Sequence, residues 1–211
     1  MKKPAKAMTA SVTLAILTAA ALLAPVSCGV RVPLSMTEAE ASLINESPEV
    51  MRILTVENEE DITILRKSST NFNLADINTP EYATLATKMV KTLESTDGGV
   101  GLAAPQIGIN RRVVAVQRVD KEGELIEVYA NIRIEEMRGE KQEGPEGCLS
   151  VPDERGNVLR YQDITIVYTD INSDRMDQPR EIREAVSGFA AVIFQHEVDH
   201  LDGILYTDRM L

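Results

Sequence analysis

The stretch SGFAAVIFQHEVDH, residues 187–200, decides the fold and the chemistry of this chain. Its apolar positions lead into two histidines at the spacing of a helix: Phe189, Val192, Ile193, His196 and His200. One face of a helix beginning near Ser187 and Gly188 therefore carries apolar side chains and both imidazoles. Histidines four residues apart on a helix project from the same side and can bind one metal ion.

Glu197 follows the first histidine and lies close enough to reach a water on such a metal. His196 and His200 are the only 2 histidines of the chain. An H-E-x-x-H pattern could arise by chance on an exposed acidic helix, but here the flanking positions are apolar. Burying imidazoles and a carboxylate there is costly unless they are paired or bind a metal. The pattern predicts a metal-dependent hydrolase in which Glu197 moves the protons.

The third metal ligand must lie elsewhere in the chain. Some zinc proteases with this pattern take their third metal ligand from a glutamate on a later helix. Others take it from a histidine at the position that Tyr206 occupies in this chain. Asp202 and Asp208 remain as alternatives in the short stretch after His200. The stronger candidate is Cys148, because one thiolate with two imidazoles leaves a fourth position for water. A small buried core cysteine is the competing interpretation.

A glycine-rich loop, GVGLAAPQ at residues 99–106, follows a predicted helix and precedes a predicted strand. It lacks the Gly-Lys-Ser/Thr of a phosphate-binding loop. Its small residues would let a peptide backbone approach closely, and Gln106 ends it with an amide donor.

The remaining patterns predict an α+β fold. Thr79 and Pro80 begin a helix, which Gly98 and Gly99 end. Its apolar face carries Tyr82, Leu85, Met89, Val90 and Leu93. Residues 112–119, 125–134 and 162–169 are rich in β-branched residues and predict strands. Strands followed by a terminal helix favour α+β over a doubly wound sheet.

The first thirty residues resemble an export signal. Three lysines precede an uncharged run, residues 11–26, which is short for a membrane span. Cys28 stands where a bacterial lipoprotein carries its lipidated cysteine, although Pro25 departs from the usual leucine. Ordinary cleavage nearby and an uncleaved anchor are the alternatives. We expect a signal peptide over 1–28, a tether or loosely packed arm over 29–50, and the hydrolase domain over 51–211.

The charge of the chain limits its partners. It has 22 basic against 33 acidic residues, a formal net charge of −11. Loss of residues 1–27 removes three lysines and no acid, which leaves −14. Such a chain is repelled by nucleic acid and by anionic lipid, so no nucleic-acid partner is expected. If Cys28 is lipidated or removed, Cys148 is the one remaining thiol and no intrachain disulfide can form.

Together the motifs resemble the peptide deformylase family. That family is marked by G-x-G-L-A-A-x-Q, E-G-C-L-S and Q-H-E-x-D-H in this order. Here they stand intact as residues 99–106, 146–150 and 195–200. The departures are Asn131-Ile132 in place of the common Asn-Pro, a divergent N-terminal part and the signal-like leader. The resemblance implies antiparallel β-sheets around a C-terminal metal-binding helix.

The resemblance also implies residue roles. Cys148, His196 and His200 would hold one divalent metal, usually ferrous iron, with zinc or nickel as alternatives. Gln106 and the Leu149 N–H would stabilise the oxyanion while Glu197 moves the proton. The substrate would be an N-formylated peptide. Its expected binding wall comprises Val100, Gly101, Gly147, Phe189, Val192 and Ile193, with core packing as the alternative for Phe189 and Val192.

If the protein is exported, two alternatives to a deformylase activity must be considered. The site could serve a different blocked or unblocked peptide in the cell envelope, or belong to a binding protein that has lost catalysis. The membrane would be contacted only through a lipid on Cys28. A ferrous thiolate oxidises readily outside the cytoplasm, so we expect zinc or nickel in place of iron.

Overall fold

The computed structural model describes residues 34–170 and 180–211. The predicted leader and Cys28 lie outside the described residues. Among the residues that are described, no helix is both long enough and apolar enough to cross a membrane. The elements, in chain order, are α1 Glu38–Glu46, α2 Glu59–Leu65, α3 Leu74–Ile77, α4 Pro80–Glu94, β1 Gly101–Ala103, β2 Val113–Gln117, β3 Ile126–Cys148, β4 Val151–Thr169, β5 Glu181–Ser187 and α5 Gly188–Leu201, with 3₁₀ turns at Ala104–Ile107 and Tyr206–Arg209.

The strands form one antiparallel sheet in the order β1-β2-β3-β4-β5. Each strand therefore pairs with the next one along the chain, with Val114 opposite Tyr129 and Ile164 opposite Val186. Antiparallel neighbours need only short connections. An antiparallel sheet with helices packed on it confirms the predicted α+β class.

The central part of the sheet is buried on both faces. Val113 and Ala115 of β2 pack in one apolar cluster with side chains of α4, such as Leu85. The intervening residues Val114 and Val116 pack in a second cluster with side chains of α5. Successive side chains of a strand point to opposite faces. The sheet thus lies between α4 and α5, which fixes the position of the helix that carries the histidines.

The two helices that were predicted from their end signals are present. Thr79 caps α4, its side chain accepting a hydrogen bond from the Tyr82 N–H, and Pro80 is the first helical residue. Helix α4 ends at Glu94, a few residues before the predicted stop. Ser187 is the N-cap residue of α5 and Gly188 has a φ of 62°, in the left-handed region that favours glycine.

Strands β3 and β4 are much longer than predicted. The expected strands over 125–134 and 162–169 are confirmed, but residues 135–161 continue the pairing as a long hairpin. Many of these residues are charged and exposed, so the sequence lacks the alternation that marks a half-buried strand. The short edge strand β5 was missed for the same reason. The tip of the hairpin, residues 149–150, immediately follows Cys148.

The predicted tether or loosely packed arm over 29–50 is, in the residues that the structure describes, more closely packed than expected. Helix α1 packs on the domain and its Ile44 is fully buried. Glu40 pairs with the buried Arg111, whose Nε lies 2.6 Å from Glu40 Oε1. The Lys88 ammonium donates to the carbonyl of Ile44 at the end of α1. These anchors come from distant parts of the chain, so the polar local sequence did not reveal them.

Candidate metal centre and catalytic cleft

Cys148, His196 and His200 meet at one point, with their potential ligand atoms all within 4.8 Å of one another. Cys148 ends β3, and its Sγ lies 3.2 Å from His200 Nε2. The two imidazoles extend from successive turns of α5, with ring centroids 5.0 Å apart. One sulfur and two imidazole nitrogens suit a divalent transition metal with a fourth position left open. The donor set therefore fits the expected ion.

The alternative ligands Asp202 and Asp208 are engaged elsewhere. Asp202 accepts a hydrogen bond from Arg112 at 2.7 Å, and Asp208 forms an ion pair with Arg66. Neither carboxylate belongs to the cluster. The structure brings Cys148 to the histidines in their place.

A chain of buried ion pairs stands behind His196. Its Nδ1 lies 2.8 Å from Glu146 Oε2, an arrangement that leaves Nε2 for a metal. Glu146 is held by Arg160 at 2.7 Å, Arg160 reaches Asp199 at 2.6 Å, and Asp199 accepts from Arg209 at 2.6 Å. Burial alone would raise the pKa of Glu146, but His196 and Arg160 bring it down to about 2. Glu146 is therefore a carboxylate that only accepts hydrogen bonds at neutral pH.

The two histidines differ in their electrostatics. Burial and the positive charges of His196 and Arg160 hold the pKa of His200 well below its usual value, so its ring is neutral. Burial would also lower the pKa of His196, but its hydrogen bonds with Cys148 and Glu146 raise it to about 10. Since only the neutral ring ligates, metal binding must displace a proton from His196.

Glu197 is buried beside this cluster, with 4% of its surface exposed. Within the described parts of the chain, no hydrogen-bond partner reaches its Oε2. Burial raises the pKa of Glu197 to about 7, opposed by the charge of His196. A carboxyl group that titrates near neutral pH can both accept and deliver a proton.

Gln106 is oriented by two contacts. Its Oε1 accepts from the Ala103 N–H at 2.8 Å, and its Nε2 donates to Ser150 Oγ at 3.1 Å. The same Nε2 lies 3.7 Å from Cys148 Sγ, so the amide donors face the cluster. Leu149 follows Cys148 in the hairpin turn, and the Ser150 N–H donates to the sulfur at 3.4 Å. The loop that ends at Gln106 and the tip of the β3–β4 hairpin thus bring side-chain and backbone N–H groups together at the site.

The cluster lies in an open cleft of about 980 Å³. All the residues predicted for its wall line it: Val100, Gly101, Gly147, Phe189, Val192 and Ile193. Phe189 is 57% exposed, so this residue is not packed in the core, which was the alternative to its role in the wall. Val192 is half-buried, and Ile193 lines the cleft while also packing in the core. His200 lies beneath the cleft, 1% exposed.

Sequence reasoning missed further cleft residues. Asp97 and, from β4, Asp153 and Arg155 also line the cleft. Pairing places Arg155 opposite Gly147. The roles of Glu146 and Arg160 were missed as well. The only available signal was that Glu146 stands two residues before Cys148, because the contacts that define these residues connect distant strands.

Comparison with known proteins agrees with this geometry. A family model described as polypeptide deformylase matches residues 50–211. The chain belongs to the polypeptide deformylase family. Deformylases are metal-dependent, in keeping with the Cys/His/His cluster. Helix α1 precedes the matched residues.

Named deformylases resemble most of the chain. The peptide deformylase of Desulforudis audaxviator is 42% identical over 131 residues, 62% of this chain and 79% of its own length. That of Finegoldia magna is 35% identical over 161 residues, 76% of this chain and 90% of its own. The actinonin-bound crystal structure of class I type b peptide deformylase from Acinetobacter baumannii superposes with a TM-score of 0.65 at 33% identity, covering 77% of this chain and 99% of that one.

Proposed function

We propose that this chain removes the N-formyl group from formyl-methionyl peptides and releases formate. The observation that carries this proposal is the buried carboxyl group of Glu197, whose Oε2 has no hydrogen-bond partner among the described residues, beside the Cys/His/His cluster in an open cleft. Family membership supports the same reaction.

Cys148, His196 and His200 are the proposed ligands of one divalent metal. A metal bound there would lower the pKa of a water and polarise the formyl carbonyl. We expect zinc or nickel in place of iron in the mature protein, since a thiolate with ferrous iron oxidises in an oxidising compartment. Elemental analysis of protein taken from its native compartment tests this, and a predominance of iron would contradict it.

The protein's own groups supply the proton transfers. Glu197 takes the proton from the attacking water and delivers it to the leaving amine, so that the C–N bond breaks to give formate and a free amino terminus. The Gln106 amide and the Leu149 N–H donate to the oxygen on which negative charge develops. The hydrogen bonds of Gln106 to Ala103 and Ser150 hold its amide ready for this task.

The cleft supports a peptide substrate with an apolar first side chain. Val100, Phe189, Val192 and Ile193 form an apolar wall for methionine. Gly101 and Gly147 border the same space, so an extended peptide can lie alongside their backbone.

The experiment that tests this function compares formyl-Met, acetyl-Met and unblocked peptides on the metal-loaded protein, with formate release as the readout. We expect turnover of the formyl peptide alone. Glu197→Gln should lower kcat by about 10²–10⁴-fold while leaving the metal bound. Preference for the acetyl or unblocked peptide would indicate another metallohydrolase. Activity that is unaffected by Glu197→Gln would refute the mechanism.

We further propose that the protein is exported and carries a lipid on Cys28. The basic start, the apolar run and the position of Cys28 support this proposal. Membrane fractionation of the full chain tests it. Cys28→Ser should release the protein from the membrane fraction, whereas Cys148→Ser should leave it there.

A further inference from the structure

Gly101 lies directly against the side chain of Glu197. A Cβ atom placed on Gly101 would stand 2.2 Å from Glu197 Oε1, 2.7 Å from its Cδ and 2.9 Å from its Cγ. All three distances fall below the 3.0 Å under which real Cβ atoms essentially never occur. The whole outer half of the glutamate side chain would have to move.

Neither backbone is free to yield. Gly101 belongs to the edge strand β1, where it is buried and pairs with the buried Val116 of β2. Helix α5 is packed on that sheet through side chains such as Phe194 and Leu201, both fully buried. A side chain at position 101 would therefore displace the Glu197 carboxyl group and leave both elements in place.

One oxygen of the carboxyl group, Oε2, is not fixed by a hydrogen bond from any residue that the structure describes. Its location consequently depends on the shape of the space around it, and Gly101 forms one side of that space. A hydrogen-bonded carboxylate could resist a nearby methyl group, whereas this one would move.

We propose that Gly101 is a positioning residue, whose missing side chain makes the space that keeps the Glu197 carboxyl group beside the metal cluster. This inference rests on the proton-transfer role proposed for Glu197. It adds to the role of Gly101 in the substrate wall, because the direction of the missing Cβ is towards Glu197.

The test introduces Gly101→Ala into three metal-loaded backgrounds: the wild type, Glu197→Gln and Glu197→Ala. Glutamine has the size of glutamate, so the overlap persists there, whereas alanine empties the space. We expect Gly101→Ala to lower the Tm by about 2–4 °C in the wild type and in Glu197→Gln. In Glu197→Ala this loss should disappear, since the two sites are then no longer in contact.

Kinetics separate positioning from substrate contact. In the otherwise wild-type protein, Gly101→Ala should lower kcat by about 10²-fold, with unchanged metal content and little change in KM. In the Glu197→Ala background, the Kd for a formyl-Met peptide should be the same with and without Gly101→Ala. A positioning role thus predicts an effect on kcat that vanishes together with the glutamate side chain.

Gly147→Ala is the matched control. Gly147 also borders the cleft, but a Cβ there would meet its nearest neighbour, Arg155 Cγ, at an ordinary 3.5 Å. Its effect on the Tm should be the same in all three backgrounds.

Two results would overturn the inference. One is a Tm loss from Gly101→Ala that persists in Glu197→Ala, and the other is a raised KM with unchanged kcat. Failure of the proposed function would appear separately, as absence of formate release by the wild type, because the coupling of melting temperatures requires no activity.

Discussion

Glu146 shows how a residue that is not itself a metal ligand can decide metal affinity. It accepts a hydrogen bond from His196 Nδ1 while Arg160 holds it from the other side. A carboxylate in this position fixes the ring orientation of the ligating histidine and raises its basicity. Its pKa of about 2 means that it keeps its charge at any working pH.

Glu146→Gln should therefore weaken metal binding by about 10–100-fold. The amide has no negative charge for the imidazole and presents an NH₂ group to either His196 or Arg160. Competition with a coloured chelator measures the change. Glu140→Gln, an exposed change on the same strand, is the control. Equal metal affinity of the two variants would show that Glu146 does not support His196.

Residues with reactive chemistry were accessible to sequence reasoning, and their supporting partners were not. His196, Glu197 and His200 are recognisable because helical spacing places them together. Glu146 and Arg160 are 14 residues apart and become neighbours only through the register of the β3–β4 hairpin. An arginine in a polar stretch carries no signal that it will be buried beside a metal ligand.

At the scale of elements, one of the contacts that hold α1 on the domain is an ion pair. Arg111 is 3% exposed and donates to both Glu40 oxygens, at 2.6 and 2.7 Å, as well as to the Ser35 carbonyl. Burial alone would raise the pKa of Glu40, but hydrogen bonds from Arg111 and Thr37 lower it below its ordinary value of 4.5. Because the pKa of Glu40 is lowered in the folded state, the ion pair stabilises the protein above pH 4.5. This stabilisation is lost as the pH falls through the folded-state pKa.

Glu40→Gln should accordingly destabilise the protein at neutral pH by about 1–3 kcal/mol, because it leaves the buried Arg111 without its counter-charge. The difference from wild type should shrink as the pH falls below 4.5 and through the lowered folded-state pKa of Glu40. Urea unfolding at several pH values measures it. Glu38→Gln, an exposed change in the same first turn, should have little effect at any pH. A pH-independent difference for Glu40→Gln would contradict the assignment.

Elements with their own end signals or a clear apolar period were predictable. Helices α4 and α5 have both, and β2 is a continuous run of β-branched and small residues. Helix α1 has an end signal, the capping box of Thr37 and Glu40, but a single buried side chain, Ile44, and the outer parts of β3 and β4 have few. These elements are held by partners elsewhere in the fold, which composition and periodicity do not record.

For the described domain as a whole, a bound metal would add a further connection between the β3–β4 hairpin and α5, which the Glu146–His196 and Arg160–Asp199 pairs already join. Cys148 stands at the tip of the long β3–β4 hairpin, whereas His196 and His200 belong to the helix packed on the centre of the sheet. Without a metal, the site retains a buried neutral His200 and a carboxylate–imidazole pair. An ion bound to all three ligands ties the hairpin tip to α5 and exists only in the folded state.

Removal of the metal should therefore lower the Tm of the whole domain. A ligand present at about 100 times its Kd stabilises the folded state by about 2.7 kcal/mol, which corresponds to roughly 5–10 °C for a domain of this size. Calorimetry of loaded, chelated and reloaded protein measures the loss and its recovery. Cys148→Ala removes the hairpin's ligand, so a chelator should hardly change the Tm of that variant. An equal fall in both proteins would mean that the metal does not connect the hairpin to the helix.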